Sequence, residues 1–242
     1  MSAPLLKIST ADLLPMDMFL RDEPIAVDVV YANASHPENI FGTAAYHANA
    51  RMILHRDLAS IVLAAARMLN ARHGWTLVLK DGLRPIEAQQ VLIETDIVKR
   101  NPHWLQEPRL LSSPGQGAHP RGMAIDVCVT DKNGMTVDMG TTFDEMTPQS
   151  ARAYDGFDKS ILANRAVLEQ SFAASAEKLN LPLLPLPSEW WDFRIPSSHC
   201  GQYAPLSDKD LPGPLKMRSA PQADPDWAEK ADALAKSIRM SL

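Results

Sequence analysis

Three short stretches of this chain hold residue types that can carry chemistry. In the first, Gly117-Ala-His119-Pro-Arg-Gly-Met-Ala-Ile-Asp126, a histidine closes a glycine-rich loop and a carboxylate follows on a strand. Zinc accepts both an imidazole nitrogen and a carboxylate oxygen, at roughly 2.0–2.2 Å. The loop lets His119 bend toward the strand face that carries Asp126; an ordinary polar pair fits the same residues. In the second, Ser188-Glu-Trp-Trp-Asp-Phe-Arg194, Glu189 stands beside two tryptophans. A carboxylate in partly apolar surroundings has a raised pKa, which suits a general base. A packed aromatic strand with exposed charges is the plainer alternative. Alternation along a strand puts Glu189 and Asp192 on opposite faces, so both meet one site only where the strand bulges or ends between them. In the third, Asp81-Gly-Leu-Arg84-Pro85, an arginine follows a strand. It can bind a carboxylate or steady a developing oxyanion, or simply answer Asp81.

The elements that must position these groups follow from periodicity. From Arg56 to His73, Leu58, Ile61, Val62, Ala65, Met68 and Leu69 recur at helical spacing, and Gly74 ends the run. Trp75 to Leu79 reads as a buried strand. Asp81-Gly82 breaks it, and Pro85 opens a second helix predicted to reach about Lys99. Residues 101–122 read as a loop holding Gly115, Gly117 and Gly122. Met123 to Val129 alternates, with Asp126 and Cys128 on one face. Asp131-Lys-Asn-Gly134 is a turn from which Met135 to Asp138 can pair back. A third helix is predicted over 158–180 and a short strand over 188–196. LPLLPLP (181–187) is too proline-rich for a central strand.

The character changes after Pro205, so residues 1–205 are predicted as one catalytic domain. Residues 206–242 read as a proline-rich linker and an amphipathic helix, with Trp227, Ala231, Leu234 and Ile238 on one face. That helix can dock on the domain, pair in an oligomer or stay loose. A chain of 242 residues buries a core without needing a disulfide or metal. A net charge of −5 offers no general attraction to nucleic acid or an anionic membrane. No run of 18 apolar residues predicts a membrane span. The N-terminal residues lack a signal-peptide pattern, and two cysteines make no disulfide framework. The expected location is the cytoplasm.

In order, Tyr31-Ala-Asn, Asn39-Ile-Phe-Gly42, Tyr46, Asp81-Gly-Leu-Arg84-Pro, His119-Pro-Arg-Gly-Met-Ala-Ile-Asp126, Asp138-Met-Gly-Thr-Thr-Phe-Asp144, Asn164-Arg165 and Glu189-Trp-Trp-Asp-Phe resemble the zinc D-alanyl-D-alanine dipeptidases, the enzymes of vancomycin resistance and their housekeeping relatives. The resemblance covers about residues 20–195. It implies an α+β fold of the D,D-peptidase or hedgehog-like kind, a small, mostly antiparallel sheet flanked by helices. It implies one zinc per chain and a small dipeptide substrate. His119 and Asp126 match two zinc ligands. Glu189 matches the base that activates water on the zinc, and Arg84, with Asp81 near it, the arginine that stabilises the tetrahedral intermediate. Tyr31, Tyr46 and Asp144 fall in substrate-binding segments.

Two departures stand out. Asp192 occupies the position where the family carries its third ligand, a histidine, and Gly117 that of a serine. A His119, Asp126 and Asp192 set carries one more negative charge. That weakens Lewis acidity and tilts the site toward manganese or iron(II). His199 and Cys128 are the nearby residues that can stand in as a ligand. The departures leave open a peptidase with altered substrate or metal, and an inactive binding homologue.

Overall fold

A computed structural model describes residues 4–107 and 109–242. In chain order the strands are β1 (Leu13–Pro15), β2 (Ile25–Val27), β3 (Ile53–His55), β4 (Thr76–Asp81), β5 (Ala124–Thr130) and β6 (Asp192–Arg194). The helices are α1 (Arg56–His73), α2 (Ile86–Ile93), α3 (Asp96–Arg100), α4 (Lys159–Leu179), α5 (Ser197–Cys200) and α6 (Pro225–Ser241). The main sheet runs β2-β4-β5-β6; β2 joins β4 in parallel and the other pairs are antiparallel. β1 and β3 form a separate antiparallel pair. The architecture is α+β, with a small, mostly antiparallel sheet flanked by helices.

α1 begins where the His55 side chain accepts from Asp57 N and ends at Gly74, whose φ of 68° closes the last turn. Its apolar face is buried from Leu58 to Leu69, and it packs along α4 and against β4. Phe172 of α4 stacks on Phe193 of β6 with ring centroids 3.8 Å apart. The helices thereby cover one face of the sheet, and the polar residues of β4 to β6 are left on the other.

Three local expectations change. The second helix breaks into α2 and α3 because Thr95 leaves helical geometry (ψ 155°) and its hydroxyl bonds back to Leu92 O at 2.7 Å. Residues 135–138 make only a single bridge, Thr130 to Thr136. Of residues 188–196, only Asp192–Arg194 is strand; Glu189, Trp190 and Trp191 belong to the turn before it.

The tail folds back on the rest of the chain. Leu206, Leu211, Leu215, Met217, Trp227, Ala231, Ala235 and Ile238 are buried within the hydrophobic core. α6 lies against β1 and the helical turn Thr10–Asp12. Among the described residues, no helix is long and apolar enough to cross a membrane.

Candidate active site and metal centre

β4, β5 and β6 lay three aspartates in a row. Asp81 stands opposite Asp126, and Asp126 opposite Asp192. Like charges facing each other across a ladder destabilise a sheet, and these residues are 1%, 2% and 0% exposed. Cations must answer them. Arg84 answers Asp81, with Nε and Nη2 donating to Oδ2 at 2.9 and 2.6 Å. Arg194 answers Asp192, with Nε donating to Oδ1 at 2.6 Å and Nη2 to Oδ2. Asp126 has no such partner. Its Oδ1 is buried without a hydrogen bond, and its Oδ2 lies 3.6 Å from Arg84 Nη2.

His119 reaches this row from its loop. Gly122, at φ 64°, turns the chain into β5, and its carbonyl accepts from His55 N at 2.7 Å. The His119 Nδ1 lies 2.8 Å from Gly82 O, which fixes Nδ1–H as the donor and turns Nε2 to the aspartates. Nε2 is 3.3 Å from Asp192 Oδ2 and 3.6 Å from Asp126 Oδ2. Burial alone would lower the imidazole pKa; the charge of Asp126, helped by hydrogen bonds to Asp126 and Asp192, lifts it to about 10. Without another cation, the imidazolium is itself the positive charge between these carboxylates.

This donor set fits a divalent metal. Asp126, Glu189 and Asp192 each offer an oxygen within 4.8 Å of one another, and Asp81, His119 and Asp126 form an overlapping group. Ligands about 2.0–2.1 Å from one tetrahedral ion stand roughly 3.3–3.4 Å apart. The His119–Asp192 and His119–Asp126 separations are close to that edge length, and the orphaned Asp126 Oδ1 lacks a partner that a cation would supply.

A cavity of about 120 Å³ opens beside the group. It is lined by Tyr31, Arg84, His119, Asp126, Asp144, Glu189 and Arg194, with loop residues such as Leu111, Ser112 and Gln116. Glu189 is brought here by the turn before β6. Because the strand begins only at Asp192, Glu189 and Asp192 meet one site. Burial, reinforced by Asp192 and Asp126, raises the Glu189 pKa well above the carboxylate range. Asp144 sits at φ 59°, a left-handed conformation that aspartate tolerates better than most residues. Asn164 Nδ2 and Arg165 Nε brace its loop by donating to Asp138 O and Met139 O at 2.9 and 2.7 Å. Burial and Asp126 push the Asp144 carboxyl up to about 7, and the Tyr31 hydroxyl donates to its Oδ2.

The D-ala-D-ala dipeptidase family model matches residues 9–208. The chain belongs to this family. It is a peptidase, similar to the D-alanyl-D-alanine dipeptidase of Escherichia coli (strain K12), with 29% identity over 200 residues that span 83% of this chain and 92% of the relative. The D-ala-D-ala dipeptidase match holds every residue of the site described above, whereas α6 lies beyond it.

Tyr31 and Asp144 line the cavity, but Asp81 and Tyr46 stand behind it. The Tyr46 hydroxyl donates to Asp81 Oδ1 at 2.5 Å, and Asp81 in turn holds Arg84. His199 and Cys128 belong to neither of the two groups that could hold a metal here. His199 packs beside Tyr203, and burial pushes the Cys128 thiol up to about 11, next to Lys80. Sequence reasoning missed Arg194 as a site residue. Its signal was available, since residues two apart on a strand share a face with Asp192.

Proposed function

We propose that this peptidase hydrolyses D-alanyl-D-alanine or a closely related small dipeptide, using one divalent metal held by His119, Asp126 and Asp192. Zinc is the first choice, with manganese or iron(II) the alternatives that a carboxylate-rich set admits. The observation that supports this reading is His119 Nε2 standing 3.3 Å from Asp192 Oδ2 and 3.6 Å from Asp126 Oδ2, beside a cavity that Glu189 and Arg84 line. When bound, the metal polarises the peptide carbonyl and acidifies water. Glu189 takes the proton from the attacking water and delivers it to the leaving amine. Its high intrinsic pKa lets it hold that proton between the two steps.

Arg84 stabilises the oxygen on which charge develops. Asp81 and Tyr46 keep its guanidinium in place, and the Tyr31 ring lies under it at 5.4 Å. Asp144 and Tyr31 form one wall of the cavity and meet the polar ends of the substrate. A cavity of this size suits a very small peptide.

The test is metal analysis of the purified chain, followed by a hydrolysis panel of D,D-, L,D- and L,L-dipeptides with and without a chelator. Chelator-sensitive cleavage of D-alanyl-D-alanine is expected. Cleavage confined to another dipeptide would change the substrate. A protein inert with added zinc or manganese would sink the proposal.

A further inference from the structure

Arg194 has no part in the chemistry above, yet it is the group most tightly tied to the metal-binding cluster. It lies two residues after Asp192 on β6 and shares its face. Its guanidinium forks onto both oxygens of a carboxylate that is 0% exposed, while its own side chain borders the cavity. A carboxylate has roughly four lone-pair positions, so a fork that occupies two leaves others free. Oδ2 is the oxygen that faces His119 Nε2, at 3.3 Å. Oδ1 is turned to the Arg194 Nε.

Charge sharpens the point. Arg84 forks onto Asp81 and stands 3.6 Å from Asp126, His119 lies between Asp126 and Asp192, and Arg152 donates to the Asp192 backbone carbonyl; the guanidinium on the Asp192 carboxylate itself is that of Arg194. Arg194 therefore cancels the charge of Asp192 in particular. Resting on the metal reading above, we propose that Asp192 and Arg194 act as one unit: a charge-cancelled carboxylate that presents a single oxygen, Oδ2, to the metal, as a neutral ligand would. Arg194 is a positioning residue in this account. The extra negative charge expected from an aspartate ligand is offset within the protein, and the site is no more anionic than one with a neutral third ligand.

The proposal makes a counter-intuitive prediction. Asp192→His supplies a better zinc ligand, but alone it leaves a guanidinium that is only 20% exposed without its partner beside the metal, and an unpaired, largely desolvated charge is costly. Zinc affinity of the full-length native chain, Asp192→His, and Asp192→His/Arg194→Gln is measured by competition with a chromophoric chelator. Asp192→His alone is expected to bind zinc at least tenfold more weakly than the native chain. Adding Arg194→Gln is expected to recover that loss or exceed it. In the cobalt-loaded proteins, the visible bands of the double variant should shift from those of the native chain, as the ligand changes from oxygen to nitrogen.

Circular dichroism of each metal-free variant reports folding. Should Asp192→His not fold, the near-isosteric Asp192→Asn, with and without Arg194→Gln, carries the same comparison. If the native chain binds zinc and Asp192→His binds it as tightly or more tightly, this proposal is overturned and the metal reading survives. A double variant no tighter than Asp192→His also overturns it. If the native chain binds no metal, the reading beneath it falls as well.

Discussion

Glu189 and Asp192 are three residues apart and are pushed in opposite directions. Burial, Asp192 and Asp126 raise Glu189, while the Arg194 guanidinium outweighs burial and holds Asp192 below the ordinary range. Carboxyl groups driven apart in this way divide the labour of a site: one exchanges protons and the other stays charged. Glu189→Gln should therefore lower kcat by about 10²–10⁴-fold. Its zinc affinity should stay close to native, as measured by chelator competition; a parallel loss of zinc would make Glu189 a ligand instead. Arg84→Lys keeps the charge but loses the fork on Asp81, and kcat should fall by about 10²–10³-fold. His119 adds a pH dependence. With its pKa lifted to about 10, the metal-free imidazole is protonated at neutral pH, and a metal must displace that proton. Raising the pH toward 10 removes the competitor, so apparent zinc affinity should climb by about tenfold per unit. Zinc titrations at pH 6, 7 and 8 check the sign, and a flat profile would rule out His119 as the displaced acid.

At the level of elements, the glycine turns carry the site. A Cβ on Gly82 would stand 2.7 Å from Ile53 O and 3.0 Å from side-chain atoms of Leu54 and Met52. The near atom is backbone and cannot swing away. Gly82→Ala should cost about 1–3 kcal/mol in thermal unfolding. It should also weaken zinc binding, because Gly82 O is the acceptor that orients His119; unchanged zinc affinity in a destabilised protein would show that this bond is dispensable. Much of this scale was legible in the sequence. Helical spacing gave α1, alternation gave β5, and the glycine-rich loop before Asp126 pointed to His119. What escaped was whatever depends on partners far along the chain. The row Asp81, Asp126, Asp192 is a matter of register between strands, and register is set by packing and turns rather than by any one segment. The break at Thr95 is a side chain competing for a helix carbonyl, which helical periodicity does not record. Arg194 was in view as a residue, but its role exists only once Asp192 is known to be buried.

On the scale of the whole molecule, the tail is joined to the site through a chain of contacts. α6 packs on β1, and β1 pairs with β3. β3 ends at His55, whose amide bonds to the Gly122 carbonyl three residues after His119. Nearer the site, Leu206 N donates to Pro120 O at 2.7 Å, and the Arg121 Nε donates to Tyr203 O at 2.7 Å. The apolar stripe of α6 is spent inside this chain: Trp227, Ala231, Ala235 and Ile238 are buried, and the Arg239 guanidinium lies 4.8 Å from the Phe19 ring. Two consequences follow for an experiment on the full-length protein. Trp227→Ala empties a large buried site and should cost about 3–5 kcal/mol, read as a lowered Tm. Deleting residues 219–242 should do more than destabilise. It bares the face of β1 and the neighbouring helical turn, so the truncated chain should associate more strongly in solution than the full chain, as measured by light scattering across a concentration series. The opposite result, a native oligomer that falls to single chains when α6 is removed, would place this helix at a subunit interface and not on its own domain.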